Sequence, residues 1–338
     1  MSEAAFPLLG SLFVFAIVLP AFALVVKVVF LELRRVESAR PLHSRTGIRY
    51  ALLVGSSAVP LAWFLSASLH QAESGTGAEV CAVLHAPGAF CPEAVLFAAA
   101  LALLAGVRGL PRLLRGQLVW SDDATVTARA ARARVDRLLS TSAALRRLRA
   151  RTYLREGALA PMATVGLLVP RIVVRPSLVE QLDDAALAAA LLHEAEHVRG
   201  WDPFRYFVVW WALAINPVGH WLLGDELSRW ILSRETHCDR EAVLHGGSAP
   251  ALAHALVRAA RADALSTAGL CTDGPTALEL RIGLLLAYAE RAPERCCRSP
   301  ALRLALVAVG AAVLLPLGTG TYVLDALHLV AEHALLWR

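Results

Sequence analysis

The chain has 338 residues, of which 57% are hydrophobic and only 18% are charged. Its mean hydropathy of +0.54 is far above that of an ordinary soluble domain. The formal charge of +5 arises from arginines that cluster beside apolar segments, so it is not a signal of direct nucleic-acid binding. The composition predicts a mainly α, polytopic membrane protein in contact with the lipid bilayer.

Three apolar segments in the first third of the chain predict transmembrane helices at about residues 4–33, 48–69 and 94–114. The first is too long for a cleavable signal peptide and lacks a basic segment before it. Arginines follow the first span and end the third, whereas residues 71–93 contain no Lys or Arg. The positive-inside rule therefore predicts an N-terminus outside and a chain that continues inside after the third span.

The cysteines divide between the two predicted sides of the membrane. Cys81 and Cys91 lie in the predicted outside loop, where they either form a disulfide or stay as thiols. The other four lie on the predicted inside and have no CxxC spacing, so we interpret them as ordinary thiols.

Residues 121–154 are rich in arginine and predict a cytoplasmic helix near anionic headgroups. β-branched runs at residues 151–154, 164–169 and 172–174, punctuated by Gly and Pro, then predict a small sheet. One edge of this sheet is a candidate site for an extended peptide bound by strand addition. Ser177 and Glu180 have the spacing of a capping box that opens a short helix.

The motif HExxH follows at His193, Glu194 and His197. Two histidines one helical turn apart project from the same face and suit two ligands on one zinc ion. Glu194 lies where its carboxylate can act as general base on a metal-bound water. We expect Asp183 to cap the helix and Gly200 to end it in a left-handed conformation. Leu187, Leu191 and Val198 are predicted to pack against the core.

A catalytic zinc site needs a third protein ligand. An ExxxD pattern in a second helical run places Glu235 and Asp239 on one helix face. One carboxylate can bind zinc while the other holds the second nitrogen of a ligand histidine. His237 and Cys238 are rival ligands on the same helix.

Residues 204–223 are apolar enough to cross a membrane, yet Glu235 must reach the same zinc as His193 and His197. The segment must therefore be buried in the domain, lie at the membrane interface, or enter and return. We favour a membrane-associated hairpin broken at Asn216 and Pro217. A last span is predicted at about residues 302–317. The predicted domains are a three-span membrane domain at 1–115, a cytoplasmic zinc metallopeptidase domain at 116–298, and a C-terminal transmembrane helix with a short tail at 299–338.

The order of these motifs resembles the BlaR/MecR family of bacterial membrane metallopeptidases of the gluzincin type. The resemblance lies in three spans, then residues 169–174, 192–203, Asn216-Pro217 and 234–239. It implies about four transmembrane helices and a cytoplasmic α+β zinc peptidase in the bacterial inner membrane, acting in signal transduction. It matches His193, His197 and Glu235 to the zinc ligands, Glu194 to the catalytic glutamate and Asp239 to the acid behind a ligand. Asp202 also fits the family pattern, but the sequence suggests no chemistry for it.

The resemblance also implies partners and has limits. A DNA-binding repressor is a candidate substrate, self-cleavage is an alternative, and a homodimer is a candidate assembly. The β-lactam receptors of the family carry an outside penicillin-binding domain with an SxxK serine, whereas here the predicted outside tail is short and Lys27 is the only lysine. Direct β-lactam sensing is therefore not expected. Arg281 resembles an arginine of related gluzincins and, with His220, is a candidate to stabilise the oxyanion.

Three alternatives stay open. A housekeeping protease of the HtpX type would share every ligand. An intramembrane site-2 protease would bury HExxH in a span, which the charged residues flanking the motif argue against. A non-catalytic membrane receptor or scaffold would hold a structural or vacant metal site, and it predicts no loss of function when Glu194 alone is changed.

Overall fold

The computed structural model describes residues 14–37, 46–74, 122–141, 143–158, 160–264 and 275–291. The described chain is mostly helical with one small sheet, as predicted. The helices are α1 Leu19–Glu37, α2 Thr46–Ser74, α3 Val126–Thr141, α4 Ala143–Arg146, α5 Pro176–Gln181, α6 Asp184–Gly200, α7 Asp202–Ile215, α8 Gly219–Leu244, α9 Ala249–Ala264 and α10 Pro275–Glu290. The strands are β1 Thr152–Leu154, β2 Met162–Val165 and β3 Arg171–Val174.

The N-terminal part contains the candidate membrane segment. A π-helical turn at Val14–Val18 runs directly into α1. Within the described residues, one helical stretch, Phe15–Arg35, is long and apolar enough to cross a membrane, a property that a signal sequence near an N-terminus shares. Helix α2 covers the second predicted span. The third and last predicted spans, and Cys81 and Cys91, lie outside the described residues.

Helices α7 and α8 form a hairpin that packs along α1 and α2. Helix α7 ends at Ile215, and α8 begins three residues after Asn216, so the predicted break is present. The Asn216 side chain donates a hydrogen bond to the carbonyl of Leu19 (2.8 Å), near the start of α1. Apolar side chains from all four helices, including Phe30, Leu53 and Leu213, form one cluster. Helix α8 therefore runs back along the bundle, toward the end at which α7 begins.

The sheet has the order β1-β3-β2, with β1 parallel and β2 antiparallel to β3. Strand β2 is at an edge of this sheet. The predicted second strand, 164–169, is wrong beyond Val165, because Gly166 turns the chain with a φ of 99°. A Cβ at this position would collide with the carbonyl oxygen of Val169. The turn lets β2 fold back onto β3, with Thr164 opposite Ile172.

The arginine-rich helix α3 packs into the fold by an apolar face, and two of its arginines bind neighbouring elements. Val135 and Leu139 on α3 are fully buried. Arg132 donates to the carbonyl of Thr152 at 2.6 Å, and Arg134 contacts Asp184 at the start of α6. These contacts hold α3 against the sheet and the HExxH helix, while its predicted proximity to headgroups stays a prediction.

The predicted capping box at Ser177 and Glu180 is wrong. Helix α5 begins at Pro176, and no side chain of its own caps it. Ser177 instead bonds through its hydroxyl and its backbone N–H to the carboxylate of Glu156, in the segment after β1. A long-range carboxylate thus replaces the local glutamate, because the chain before α5 comes from the sheet.

Candidate metal centre

Helix α6 carries the HExxH motif in the centre of the fold. Asp183 caps it as predicted, accepting a hydrogen bond from the backbone N–H of Ala186 at 2.7 Å. Leu187, Leu191 and Val198 are buried in the core cluster, as predicted. The two histidines are also buried, and they face α7 and α8 rather than the sheet-side core. One face of α6 thus packs against the core, and the other presents the two histidines.

The end of α6 differs from the prediction. Gly200 is the last helical residue, and the left-handed position falls on Trp201, with φ of 54°. Gly200 instead allows a close approach: a Cβ there would force the Arg234 guanidinium and the Asp202 carboxylate to shift. A left-handed tryptophan is unusual, and here it lets α7 begin at once, so that Asp202 lies beside the motif.

Three side chains converge at one point. The Nε2 atoms of His193 and His197 are 3.1 Å apart. The Glu235 carboxylate oxygens lie 3.4 Å from the His193 Nε2 and 3.5 Å from the His197 Nε2. The 3.4 Å distance is to Oε2 and the 3.5 Å distance to Oε1 of Glu235, so each oxygen of this carboxylate faces one histidine. Ligands about 2.05 Å from a zinc ion at tetrahedral angles lie about 3.3 Å from one another. The three side chains are therefore close enough to bind one zinc ion together.

The other nitrogen of each histidine faces a buried carboxylate. His193 Nδ1 lies 2.9 Å from Asp239 Oδ1, and His197 Nδ1 lies 2.6 Å from Asp202 Oδ2. Carboxylates in this position fix the tautomer and orientation of a metal-binding histidine. Asp239 thus lies where the resemblance implies, and Asp202, for which the sequence suggested no chemistry, orients the second histidine.

Two buried arginines hold these carboxylates. Arg234 donates to Asp202 at 2.6 Å and to the backbone carbonyl of Glu196 at 3.0 Å. Arg281 on α10 makes two hydrogen bonds to Asp239, at 2.8 and 2.9 Å, and its third nitrogen lies 3.1 Å from Glu235. Because each guanidinium is rigid and planar, it fixes the carboxylates that it binds.

The two candidate oxyanion stabilisers lie in different places. Arg281 lines the cavity beside the histidines, with its guanidinium on Asp239 and Glu235. His220 is exposed in the first turn of α8, with its ring 6.2 Å from that of Trp210, and it does not line this cavity. The structure therefore brings Arg281 to the site and leaves His220 away from it.

The structure also shows where the rival ligands Cys238 and His237 lie. Cys238 is buried, with its Sγ 3.7 Å from His197 Nδ1, and it forms a second possible donor group with His197 and Asp202. That group uses only one histidine of the motif, and the Nδ1 it would offer already lies 2.6 Å from Asp202 Oδ2. The first group uses both histidines and leaves a carboxylate behind each. His237 belongs to neither donor group found among the described residues. The group of His193, His197 and Glu235 is the better metal site.

Neighbouring charges shift the pKa values of His193 and Glu235. Burial by itself lowers the pKa of His193, but Asp239 and Glu235 outweigh it and raise the pKa to about 10. Burial raises the pKa of Glu235, but His197 and Arg281 hold it well below its usual value. These contacts favour an ionised carboxylate and a protonated imidazole, so a metal ion would bind in competition with protons.

A cavity of about 350 Å³ opens beside the convergent donors. Glu194 lines it, and the Thr164 hydroxyl on β2 donates to Glu194 Oε2 at 2.6 Å. Much of the rest is apolar, contributed by β2, α5, α9 and α10: Met162, Ala163, Leu178, Leu182, Leu252, Ala255, Leu256, Ala259, Ala260 and Leu278. Glu194 and the edge strand thus face the same space.

Sequence reasoning missed Tyr206 and Thr164. Tyr206 on α7 lines the cavity, and its hydroxyl lies 3.4 Å from Glu235 Oε1. Its ring packs edge-on against Trp230 of α8, with centroids 5.1 Å apart. Both residues lie on elements other than the HExxH helix, and their places at the cavity follow from how those elements pack.

Comparisons with protein-family models, with curated proteins and with solved structures found no match. A function for this site therefore rests on its residues and their geometry.

Proposed function

We propose that this chain is a membrane-bound zinc endopeptidase that cleaves itself or a cytoplasmic regulatory protein. The observation that carries the proposal is the convergence of His193, His197 and Glu235. The two Nε2 atoms are 3.1 Å apart, and each lies 3.4 or 3.5 Å from one oxygen of the Glu235 carboxylate.

Asp239 and Asp202 lie behind the two histidines, and Glu194 lies beside them. Three ligands, buried carboxylates that orient the histidines and a neighbouring general base are the parts of a catalytic zinc site. The site also faces a cavity, as a hydrolase requires.

Each residue of the site has a separate role in the proposed peptide hydrolysis. When bound, zinc would supply Lewis acidity and lower the pKa of water at the site toward neutrality. The Glu194 carboxylate takes the proton from the attacking water and later delivers it to the leaving amine. The Thr164 hydroxyl holds Glu194 in position for both transfers. Asp202 and Asp239 hold the histidines, and Arg234 and Arg281 hold the aspartates.

The edge strand β2 is the proposed binding surface for substrate. Residues 160–164 line the cavity, and within the described sheet β2 pairs only with β3. An extended peptide that pairs with the other edge of β2 would pass beside Glu194, since Thr164 contacts that residue. This mode binds backbone groups, so it suits cleavage within an extended segment of a protein chain.

Membrane attachment is supported by the candidate span Phe15–Arg35 and by the packing of the α7–α8 hairpin along it. We propose that the hairpin dips into the bilayer and returns. Leu19 and Arg34 of α1, which contact Asn216 and Glu226 of the hairpin, are 15 residues apart, about 22 Å along a helix. The peptidase site then lies beyond the arginine-rich end of α1, on the proposed cytoplasmic side of a bacterial inner membrane.

The proposal is tested with the purified full chain in detergent, incubated with an extended peptide library and monitored for cleavage of the library and of itself. We expect cleavage that 1,10-phenanthroline abolishes and that added zinc, but not magnesium, restores. Cleavage that persists after the metal is removed would contradict a metallopeptidase. Bound zinc with no cleavage of the library, of the chain itself or of a co-expressed repressor would favour the receptor with a structural metal.

Tyr206 is proposed to donate a hydrogen bond to the oxyanion. The Thr164 hydroxyl is bound to Glu194 and the Arg281 guanidinium to two carboxylates, whereas the Tyr206 hydroxyl makes only a long contact with Glu235. Tyr206→Phe should lower kcat by about 100-fold with zinc content and KM little changed, because one oxyanion donor is lost. Steady-state kinetics measure this, with Tyr153→Phe on β1 as the matched control. Weaker zinc binding at unchanged kcat would instead mean that Tyr206 acts only on Glu235.

A further inference from the structure

A buried carboxylate joins α8 to the two N-terminal helices. Glu226 and Arg49 have no exposed side-chain surface and are bonded to each other at 2.9 Å. Arg34 of α1 bonds to the other oxygen of Glu226, and Lys27 of α1 lies 3.8 Å from it. One fully buried acid of α8 is thus bound by cations from both α1 and α2.

A second polar contact lies further along α8. The hydroxyls of Thr46, at the start of α2, and Ser233 are 2.6 Å apart, and Thr46 also contacts the Ser233 carbonyl at 3.3 Å. Ser233 is seven residues after Glu226, so both residues project from the same face of α8. This face is directed at α1 and α2.

The metal ligand lies on the opposite face of the same helix. Glu235 is nine residues after Glu226, a rotation of about 180° and a rise of about 14 Å. Asp239, one turn later, lies on the same face as Glu235 and contacts His193. Helix α8 is continuous from Gly219 to Leu244, without a break between these positions. A shift or rotation of α8 against α1 and α2 would therefore move Glu235 relative to the histidines of α6.

Buried ion pairs resist such movement. Removing one partner leaves the others charged and without compensation inside an apolar cluster, so the arrangement of α8 depends strongly on Glu226. The surrounding side chains of the cluster, such as Phe30 and Trp230, are apolar and lack strong directional preference. The charges therefore determine the register of α8 more sharply than the apolar contacts do.

We propose that Glu226 is a positioning residue that sets the third metal ligand, Glu235, according to the arrangement of α1 and α2. The membrane helices would then regulate the metal centre through α8, with no contact of their own to the donors. The inference rests on the proposed function only in assigning Glu235 as a zinc ligand. It identifies the regulatory input of the site as the packing of the N-terminal helices.

The test is a double-mutant cycle on zinc affinity, measured by chelator competition with the full chain in lipid nanodiscs. Glu226→Gln should weaken zinc binding about tenfold in the wild-type background. In a Glu235→Ala background, chelator competition measures the residual affinity of the two histidines, which is expected to be more than about 100-fold weaker. Glu226→Gln should change this residual affinity less than twofold, because the ligand through which it acts is gone. Asp225→Asn, at the exposed neighbouring carboxylate, is the matched control and should change neither background.

Equal weakening in both backgrounds would overturn the inference, since Glu226 would then act on the fold as a whole. No weakening in the wild-type background would also overturn it. If Glu226→Gln does not yield folded protein, Thr46→Val tests the same link and should weaken zinc binding, while Thr46→Ser should restore it; equal affinity in these two variants and the wild type would reject the link. A wild-type chain that binds no zinc contradicts the proposed function itself, a result distinct from binding without coupling.

Discussion

Glu194→Gln should abolish peptide cleavage while leaving zinc content at the wild-type level. Glu194 is not among the convergent donors, and its carboxylate instead faces the cavity with Thr164 as hydrogen-bond partner. An amide of the same shape cannot accept the proton from water or pass it to the leaving amine. General acid–base catalysis contributes about 10² to 10⁴-fold, so the rate of cleavage should fall by at least about 10²-fold.

The measurement is the rate of cleavage together with metal content by mass spectrometry. Glu196→Gln is a matched control, because it is the same change two residues along α6 at a buried carboxylate bonded to Arg199. It should retain cleavage within a few-fold of wild type. Wild-type cleavage by Glu194→Gln would exclude this residue as the general base and favour a non-catalytic role for the motif.

Glu235→Ala should remove zinc from the purified protein. Glu235 supplies the donor from α8, whereas both other donors come from one turn of α6. Loss of a residue that only orients a ligand costs about 10 to 100-fold in metal affinity, so loss of the ligand itself should cost more than about 100-fold. Cleavage should be lost with the metal, unlike in Glu194→Gln, where zinc stays.

Zinc affinity by chelator competition measures this effect. Glu241→Ala, on the same helix and paired with Arg240, is the matched control and should bind zinc normally. Normal zinc binding by Glu235→Ala would show that the third ligand is another residue. Cys238 would then be the first residue to substitute, because its sulfur lies with His197 and Asp202 in the other donor group.

The parts of the site that depend on helical spacing could be predicted from the sequence. His193 and His197 are one turn apart on α6, as are Glu235 and Asp239 on α8, and these spacings determine which side chains share a face. The need for a third zinc ligand then required α8 to return beside α6. This requirement excluded a single membrane crossing by residues 204–223, and Asn216 and Pro217 predicted the break of the favoured hairpin.

The parts that depend on tertiary packing could not be predicted. Asp202 reaches His197 only because Trp201 adopts a left-handed conformation and lets α7 begin at once. Propensity places that conformation on Gly200, where a close approach of Arg234 is the actual constraint. Thr164 and Tyr206 reach the cavity from other elements, and their positions follow from the fold rather than from local pattern.

Tertiary contacts also determine the partners of Ser177 and Arg281. The capping box at Ser177 matched a helix-start pattern, but a glutamate from the segment after β1 occupies that hydroxyl. The guanidinium of Arg281, an oxyanion candidate by resemblance, binds Asp239 and Glu235, and its oxyanion role stays a prediction. In both cases the polar group binds a carboxylate that is distant in the sequence, so a local pattern does not identify its partner.

The most direct test of the metal centre is X-ray absorption spectroscopy at the zinc edge on the purified full chain. The convergence of His193, His197 and Glu235 predicts one zinc per chain, with only nitrogen and oxygen neighbours at about 2.0 to 2.2 Å. A sulfur neighbour at about 2.3 Å would show that a cysteine binds the metal and contradict the assignment of Glu235, and Cys238 would be the first cysteine to substitute. Absence of zinc from a folded chain, even after zinc is supplied, would contradict the metallopeptidase as a whole.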